Sequence, residues 1–127
     1  MAREARQPQG IPVPRFPYSP VVGAGDLVYT AGQVAQDEAG ALVAGGIEEQ
    51  TGRALDNVER CLASVGCSMD DVVKVTAFLA DLGDFEAFNG AYAERFSPPY
   101  PARSTVGVQL APGLLVEIEV VARRSDP

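Results

Sequence analysis

The chain has 127 residues, enough for one domain with one hydrophobic core, because single domains cluster near ~100 to 150 residues. Its composition, 46% hydrophobic and 21% charged, excludes a disordered chain, and its net charge of -7 disfavours nucleic acid and anionic membrane surfaces as partners. The absence of histidine excludes Ser-His-Asp and Cys-His catalysis and histidine-bound metals.

The first sixteen residues contain three prolines and three arginines and show no hydrophobic periodicity. This pattern predicts a flexible lead-in, residues 1–16, followed by one domain over residues 17–127. The start has no apolar stretch typical of an export signal, and no apolar run reaches the ~18 residues of a membrane span. We therefore expect a cytoplasmic protein with no membrane partner.

The domain is predicted to open with a β-hairpin. A short strand is expected from Pro17 to Val22, and a second from Leu27 to Ala31 follows a turn over residues 23–26. Residues 72–79 are rich in β-branched side chains, which is typical of a central strand. Two further strands are predicted at 103–110 and 114–123.

Two helices are predicted from apolar residues that recur at spacings of three and four. The first begins at Ile47 and runs for about five turns to a stop at Gly66. The second begins after Asp84, a good N-cap residue, and carries a stripe of aromatic side chains that we interpret as core packing. The stripe consists of Phe85, Phe88, Tyr92 and Phe96.

The predicted order β-β-α-β-α-β-β indicates an α+β fold in which two helices cover one face of a mixed sheet. Alternation along the last two strands then sorts their side chains into two faces. The apolar sets are expected under the helices: Ser104, Val106, Val108 and Leu110, with Val116, Ile118 and Val120. The uncovered face would collect a polar set: Arg103, Thr105, Gln109, Glu117 and Glu119.

Charged side chains on that face are costly to bury alone, so the face is either solvated or closed by other subunits. In the second case Arg103 and Glu117 would lie in a cleft between subunits. An arginine donates two parallel hydrogen bonds to a carboxylate, and a nearby glutamate can activate water. The pair is therefore a minimal hydrolase for a small molecule that carries a carboxylate.

Five segments of the chain also carry a resemblance to a known family. They are Pro17-Tyr18-Ser19, Ala31-Gly32-Gln33, Asp71 to Thr76, Pro101 to Val106 and Val116 to Glu119. In this order and spacing they resemble the reactive intermediate deaminase family, also called RidA-like or YjgF proteins. The resemblance implies a fold like Bacillus-type chorismate mutase, assembled as a homotrimer with a central barrel and clefts between subunits.

The resemblance further implies an enzyme that hydrolyses 2-imino or 2-enamino acids, such as 2-iminobutyrate and 2-aminoacrylate, to 2-oxo acids and ammonia. No cofactor or metal would be required. Arg103 would hold the substrate carboxylate, Glu117 would position the attacking water, and Tyr18 would contribute a hydroxyl group. Three further residues are implied to bind the substrate: Gly32, Thr105 and Asn89.

Two alternatives stay open at this point. One is a non-catalytic trimer in which Arg103 binds a small carboxylate, and the other is a pathway-specific hydrolase or deaminase on the same fold. The turn after Pro112 is one residue shorter than is usual in the family. Because a slip of one residue reverses every side chain of a strand, this turn raises the question of where Glu117 points.

Overall fold

The computed structural model describes residues 2–124, which form one six-stranded mixed sheet with two helices. The predicted α+β architecture is confirmed. Along the sheet the strand order is β1-β2-β3-β6-β4-β5. In chain order the elements are β1 (Glu4–Arg6), β2 (Val21–Ala24), β3 (Leu27–Thr30), α1 (Ile47–Ala63), β4 (Val72–Leu79), α2 (Phe85–Ala93), β5 (Ala102–Gly107) and β6 (Val116–Arg123).

The centre of the sheet is formed by β4 and β6, which pair antiparallel over most of their length. Only β4 and β5 run parallel, and α2 forms the crossover between them, as parallel neighbours require. Alternate residues of β6 are fully or nearly fully buried, so its apolar face lies under the helices as predicted. The buried set is Val116, Ile118, Val120 and Ala122.

Helix α1 closes the core and also anchors two loops through buried amide side chains. Asn57 donates from Nδ2 to the carbonyl oxygens of Val34 and Gln36. Gln50 donates to the Gly113 carbonyl and accepts from the Leu115 N–H, both at 2.9 Å. These bonds satisfy buried polar groups and hold the segments that flank the sheet. Neither helix in residues 2–124 combines the length and apolar character needed to cross a bilayer.

The first sixteen residues differ from the expected lead-in. Residues 4–6 pair antiparallel with β2 as an edge strand, and Ile11 is a core residue with 7% exposure. Gln7 donates from Nε2 to the Ile11 carbonyl at 2.7 Å. A strand of three exposed residues is too short to show periodicity, and its pairing depends on backbone hydrogen bonds that composition does not reveal. Residues 2–16 are therefore part of the fold.

Gly90 provides a test of the packing around α2. It lies inside the helix, and apart from its chain neighbours and the backbone of the helix itself, a Cβ atom added there would meet no heavy atom within 4 Å. Replacing a helical glycine by alanine removes backbone freedom from the unfolded chain, so we expect Gly90→Ala to stabilise the protein by about 0.5–1 kcal/mol. Urea unfolding at matched protein concentration measures this change. A lower midpoint than the parent protein would contradict the open space around Gly90.

Candidate functional site

The candidate residues fall on opposite sides of the sheet. Arg103 is the Cα partner of Val75, which is fully buried, and this register places Arg103 on the side covered by the helices. Glu117 is the partner of Phe78 and lies on the face that the helices leave open. Thr105 lies on the same side of the sheet as Arg103, and Glu119 lies on the same side as Glu117. The prediction that Arg103 and Glu117 share one face is therefore wrong within a single chain.

The error lies in β5, whose two faces are reversed relative to the prediction. Ser104 and Val106, expected under the helices, lie on the open face, where Val106 is 41% exposed. Because β5 is an edge strand, its apolar side chains do not identify the covered face as those of central β6 do. The helix side can accommodate Arg103 because its guanidinium forms cation–π contacts with aromatic rings of α2.

Arg103 lies in a concavity of about 430 Å³, here called the arginine pocket. Its guanidinium forms no ion pair with any carboxylate in residues 2–124. Arg103 and Asn89 are the two lining residues predicted to bind substrate, and the other lining residues have no predicted role in the site. The full lining is Asn89, Tyr92, Ala93, Tyr100, Pro101 and Arg103.

Two polar atoms near Arg103 are buried without a hydrogen-bond partner in the described part of the chain. They are Oδ1 of Asn89, which lines the pocket, and Oγ1 of Thr105, two positions along β5 from Arg103. An unsatisfied buried polar group costs about 1–3 kcal/mol, so such groups are usually completed by a ligand, water or another chain. Together with the unpaired arginine they indicate a site for a polar, anionic molecule.

Glu117 and Gly32 are brought together on the other side of the sheet. The neighbouring residues Gln33 and Ile118 exchange two backbone hydrogen bonds of 2.7 and 2.9 Å, which draws the segment after β3 against β6. A Cβ atom at Gly32 would come within 2.7 Å of Cδ and 2.9 Å of Cγ of Glu117. The carboxylate side chain therefore occupies the space that the glycine leaves.

The carboxyl group of Glu117 has an unusual environment for a charged side chain. Burial raises its pKa above the ordinary 4.5, and repulsion from Glu119 raises it further. No ion pair within the described residues offsets these effects. A carboxylate with a raised pKa is a stronger base than a solvated glutamate, which suits it to accept a proton.

Tyr18 belongs to neither group in a single chain. Its side chain is 57% exposed and lines a separate surface concavity together with Phe16 and Gln36. The structure thus divides the predicted site residues into an arginine group, a glutamate group and an exposed tyrosine.

The close approach at Gly32 predicts the effect of Gly32→Ala. Because the obstructing atoms belong to a half-buried side chain, Glu117 can rotate towards solvent at a cost of about 1 kcal/mol. We therefore expect the pKa of Glu117 to fall towards its ordinary value, since its burial is relieved. Carboxyl carbon titration by NMR checks this, with Gly90→Ala as the matched control. An unchanged Glu117 pKa in Gly32→Ala would contradict the packing described.

The two cysteines are unsuited to nucleophilic chemistry at neutral pH. Cys61 and Cys67 are buried free thiols, and burial raises the pKa of Cys61 to about 12. Burial also raises the pKa of Cys67, assisted by Asp71 and opposed by Arg124. Thiols with raised pKa values are poor nucleophiles. Among residues 2–124 no three cysteine, aspartate or glutamate side chains are grouped to hold a metal ion.

Comparisons with known proteins agree over most of the chain. A family model described as endoribonuclease L-PSP matches residues 9–124. A RutC family protein of Pyrococcus abyssi is 41% identical over 124 residues, covering 96% of this chain and 98% of its own. A 2-iminobutanoate/2-iminopropanoate deaminase of Capra hircus is 42% identical over 108 residues, which cover 84% of this chain and 79% of the goat protein. Among solved structures, E. coli TdcF with bound serine matches with a TM-score of 0.87 and 31% sequence identity. The match covers 96% of this chain and 99% of the TdcF chain.

Proposed function

This chain belongs to the endoribonuclease L-PSP family and is RidA-like, and on that basis we propose that it hydrolyses 2-imino and 2-enamino acids to 2-oxo acids and ammonia. The observation that carries the proposal is Arg103, which no carboxylate of residues 2–124 neutralises and which lines a pocket large enough for a small acid. The goat relative is named for this substrate class, and TdcF was solved with serine, a small molecule that carries a carboxylate.

We further propose that two copies of the chain complete each site within a homotrimer. Arg103 and Glu117 of one chain are separated by the sheet, so a cleft containing both needs a second copy. The open face carries exposed apolar side chains that a neighbour would cover, since Tyr29 is 45% and Val106 41% exposed. A chorismate-mutase-like trimer with a central barrel, which the resemblance implies, would bring the two groups together.

In the proposed reaction the Arg103 guanidinium donates two parallel hydrogen bonds to the substrate carboxylate and fixes the position of C2. An enamine first takes up a proton from the solvent at C3 and becomes the iminium. Water then adds to C2, and Glu117 of a neighbouring copy accepts a proton from it, which gives a carbinolamine.

Glu117 next returns this proton to the nitrogen, and the C–N bond breaks while the C2 hydroxyl loses its proton. The released ammonia takes up that proton, so the iminium and one water give the 2-oxo acid and an ammonium ion. We assign the remaining predicted residues to positioning of the substrate: Asn89, Thr105, Gly32 and Tyr18. Oδ1 of Asn89, which has no hydrogen-bond partner within residues 2–124, is suited to accept a hydrogen bond from an N–H group of the substrate.

The proposal is tested by coupling a pyridoxal phosphate dehydratase, acting on serine or threonine, to formation of the 2-oxo acid. Catalytic amounts of this protein should accelerate release of pyruvate or 2-oxobutyrate beyond the spontaneous rate. A folded protein that binds 2-oxobutyrate but accelerates nothing would overturn the proposal in favour of a non-catalytic carboxylate-binding trimer. Acceleration limited to other imino acids would favour a pathway-specific deaminase.

The raised pKa of Glu117 predicts how the rate depends on pH. A general base works only when ionised, so kcat/KM should rise with pH through a pKa above the ordinary 4.5. Glu119→Gln removes the repulsion that contributes to the raised pKa, so the rise of kcat/KM at acidic pH should move to lower pH. The profile of kcat/KM against pH measures the change. Glu48→Gln, which removes an exposed charge at the start of α1, should leave this rise in place.

A further inference from the structure

Three aromatic rings of α2 lie next to the guanidinium of Arg103. Its central carbon lies 4.7 Å from the ring centroid of Tyr92, 5.3 Å from that of Phe88 and 5.8 Å from that of Phe85. The spacing of these residues places them on one face of the helix. All three distances fall within the range of about 6 Å in which a ring attracts a cation.

Another arginine of the same chain is held in a different way. Arg95 forms ion pairs with Asp56 at 2.9 Å and with Glu59 at 3.5 Å, and it donates a hydrogen bond to the Gly52 carbonyl at 2.9 Å. These partners neutralise its charge and occupy its N–H groups, so Arg95 links α1 to the end of α2 and has little capacity left for a ligand.

The rings around Arg103 have the opposite effect. A ring face attracts the guanidinium through its quadrupole and does not neutralise it, and it leaves the in-plane N–H groups available. The Tyr92 ring centroid lies 4.7 Å from the guanidinium carbon, and its hydroxyl makes no hydrogen bond of good geometry within residues 2–124. Burial raises the pKa of this hydroxyl, and the nearby Arg103 charge opposes that rise, so the hydroxyl also lies close to the cation. A carboxylate in the same place would compete with the substrate for the same donors.

We propose that Phe85, Phe88 and Tyr92 form an aromatic cage that orients Arg103 while keeping its charge and its hydrogen-bond donors for the substrate carboxylate. This inference rests on the proposed function and names positioning residues for it, since the rings act through Arg103. The stripe of α2 therefore has a second role beyond core packing.

The cage predicts that loss of a ring weakens carboxylate binding more than it slows the chemical step. We expect Tyr92→Leu to weaken binding of 2-oxobutyrate and raise KM by about fivefold to twentyfold, with kcat changed less than about threefold. Tyr92→Phe keeps the ring and should bind within about twofold of the parent protein. Phe85→Leu removes a partly exposed ring, 41% exposed, and should weaken binding by about threefold without threatening the fold.

Phe96→Leu is the matched control, because Phe96 belongs to the same stripe and lies 4.6 Å from the Tyr92 ring but does not contact Arg103. It should reduce stability and leave the affinity for 2-oxobutyrate unchanged, as measured by titration calorimetry. Equal losses of affinity in Phe96→Leu and Tyr92→Leu, or unchanged affinity in Phe85→Leu and Tyr92→Leu, would overturn the cage.

Arg103→Met distinguishes failure of the aromatic cage from failure of the proposed carboxylate clamp. If this variant loses affinity for 2-oxobutyrate while the ring variants keep it, the carboxylate clamp stands and only the cage is wrong. If Arg103→Met binds as the parent protein does, the clamp itself fails, and the proposed function fails with it.

Discussion

Arg103→Met should lower kcat/KM for 2-iminobutyrate by about three orders of magnitude while the protein stays folded. Two hydrogen bonds to a charged carboxylate contribute about 1.5–3 kcal/mol each, and Met cannot replace them. Its unbranched apolar side chain can still pack against the rings of α2, so the fold should persist. Initial rates in the coupled dehydratase assay and thermal unfolding measure the two effects.

Arg103→Lys tests whether the geometry of the charge matters. Lysine retains the positive charge but cannot donate two parallel hydrogen bonds from a planar fork, so most of the loss should remain. Arg123→Met is the matched control, because Arg123 is an exposed residue of β6 with one surface ion pair, to Asp26 at 3.2 Å. It should keep activity within about twofold. An Arg103→Met variant with more than a tenth of the parent activity would remove the clamp from the mechanism.

Glu117→Gln should lower kcat by about two to four orders of magnitude, the range that a general base contributes. The amide has nearly the same shape but cannot accept a proton from water. Binding of 2-oxobutyrate should persist, because Arg103 still holds the carboxylate. Turnover in the coupled assay and calorimetric binding of 2-oxobutyrate measure these effects separately. Loss of binding and turnover together would show that Glu117 holds the ligand and does not activate water.

The raised pKa of Glu117 also fixes the sign of its effect on stability. A carboxyl group whose pKa is raised by folding contributes stability below its unfolded pKa, and this contribution is lost as pH rises through the folded value. At neutral pH the ionised group therefore opposes folding, and Glu117→Gln should be at least as stable as the parent protein. Lower stability of Glu117→Gln at neutral pH would indicate that the carboxylate has a favourable partner.

Hydrophobic periodicity predicted the parts of the fold that depend on burial along a long element. Both helices and the apolar face of β6 are confirmed. Each of these elements buries one side against the same core, so its apolar residues recur at a regular spacing in the sequence. Alternation predicted the wrong covered face for β5, because its edge position leaves Val106 exposed and Arg103 lies on the covered side. It also missed β1, whose three residues are all exposed.

The candidate site was predicted in part, and the reason differs from residue to residue. Gly32 and Glu117 lie together because two backbone bonds join distant segments, a contact that no local pattern encodes. The aromatic contacts of Arg103 had a visible signal, since Phe85, Phe88 and Tyr92 form a stripe on the helix that precedes the strand of Arg103. That signal predicts core packing alone, and the two roles are compatible because Phe88 and Tyr92 are buried and also lie within about 6 Å of the cation.

The sheet that separates Arg103 from Glu117 also has a consequence for mixed populations of chains. In the proposed trimer every copy supplies its arginine to one site and its glutamate to another, so no copy owns a complete site. A chain that lacks both groups but still assembles would disable two of the three sites that it enters. Such an allele would act dominantly, reducing the activity of normal copies more than simple absence of the chain.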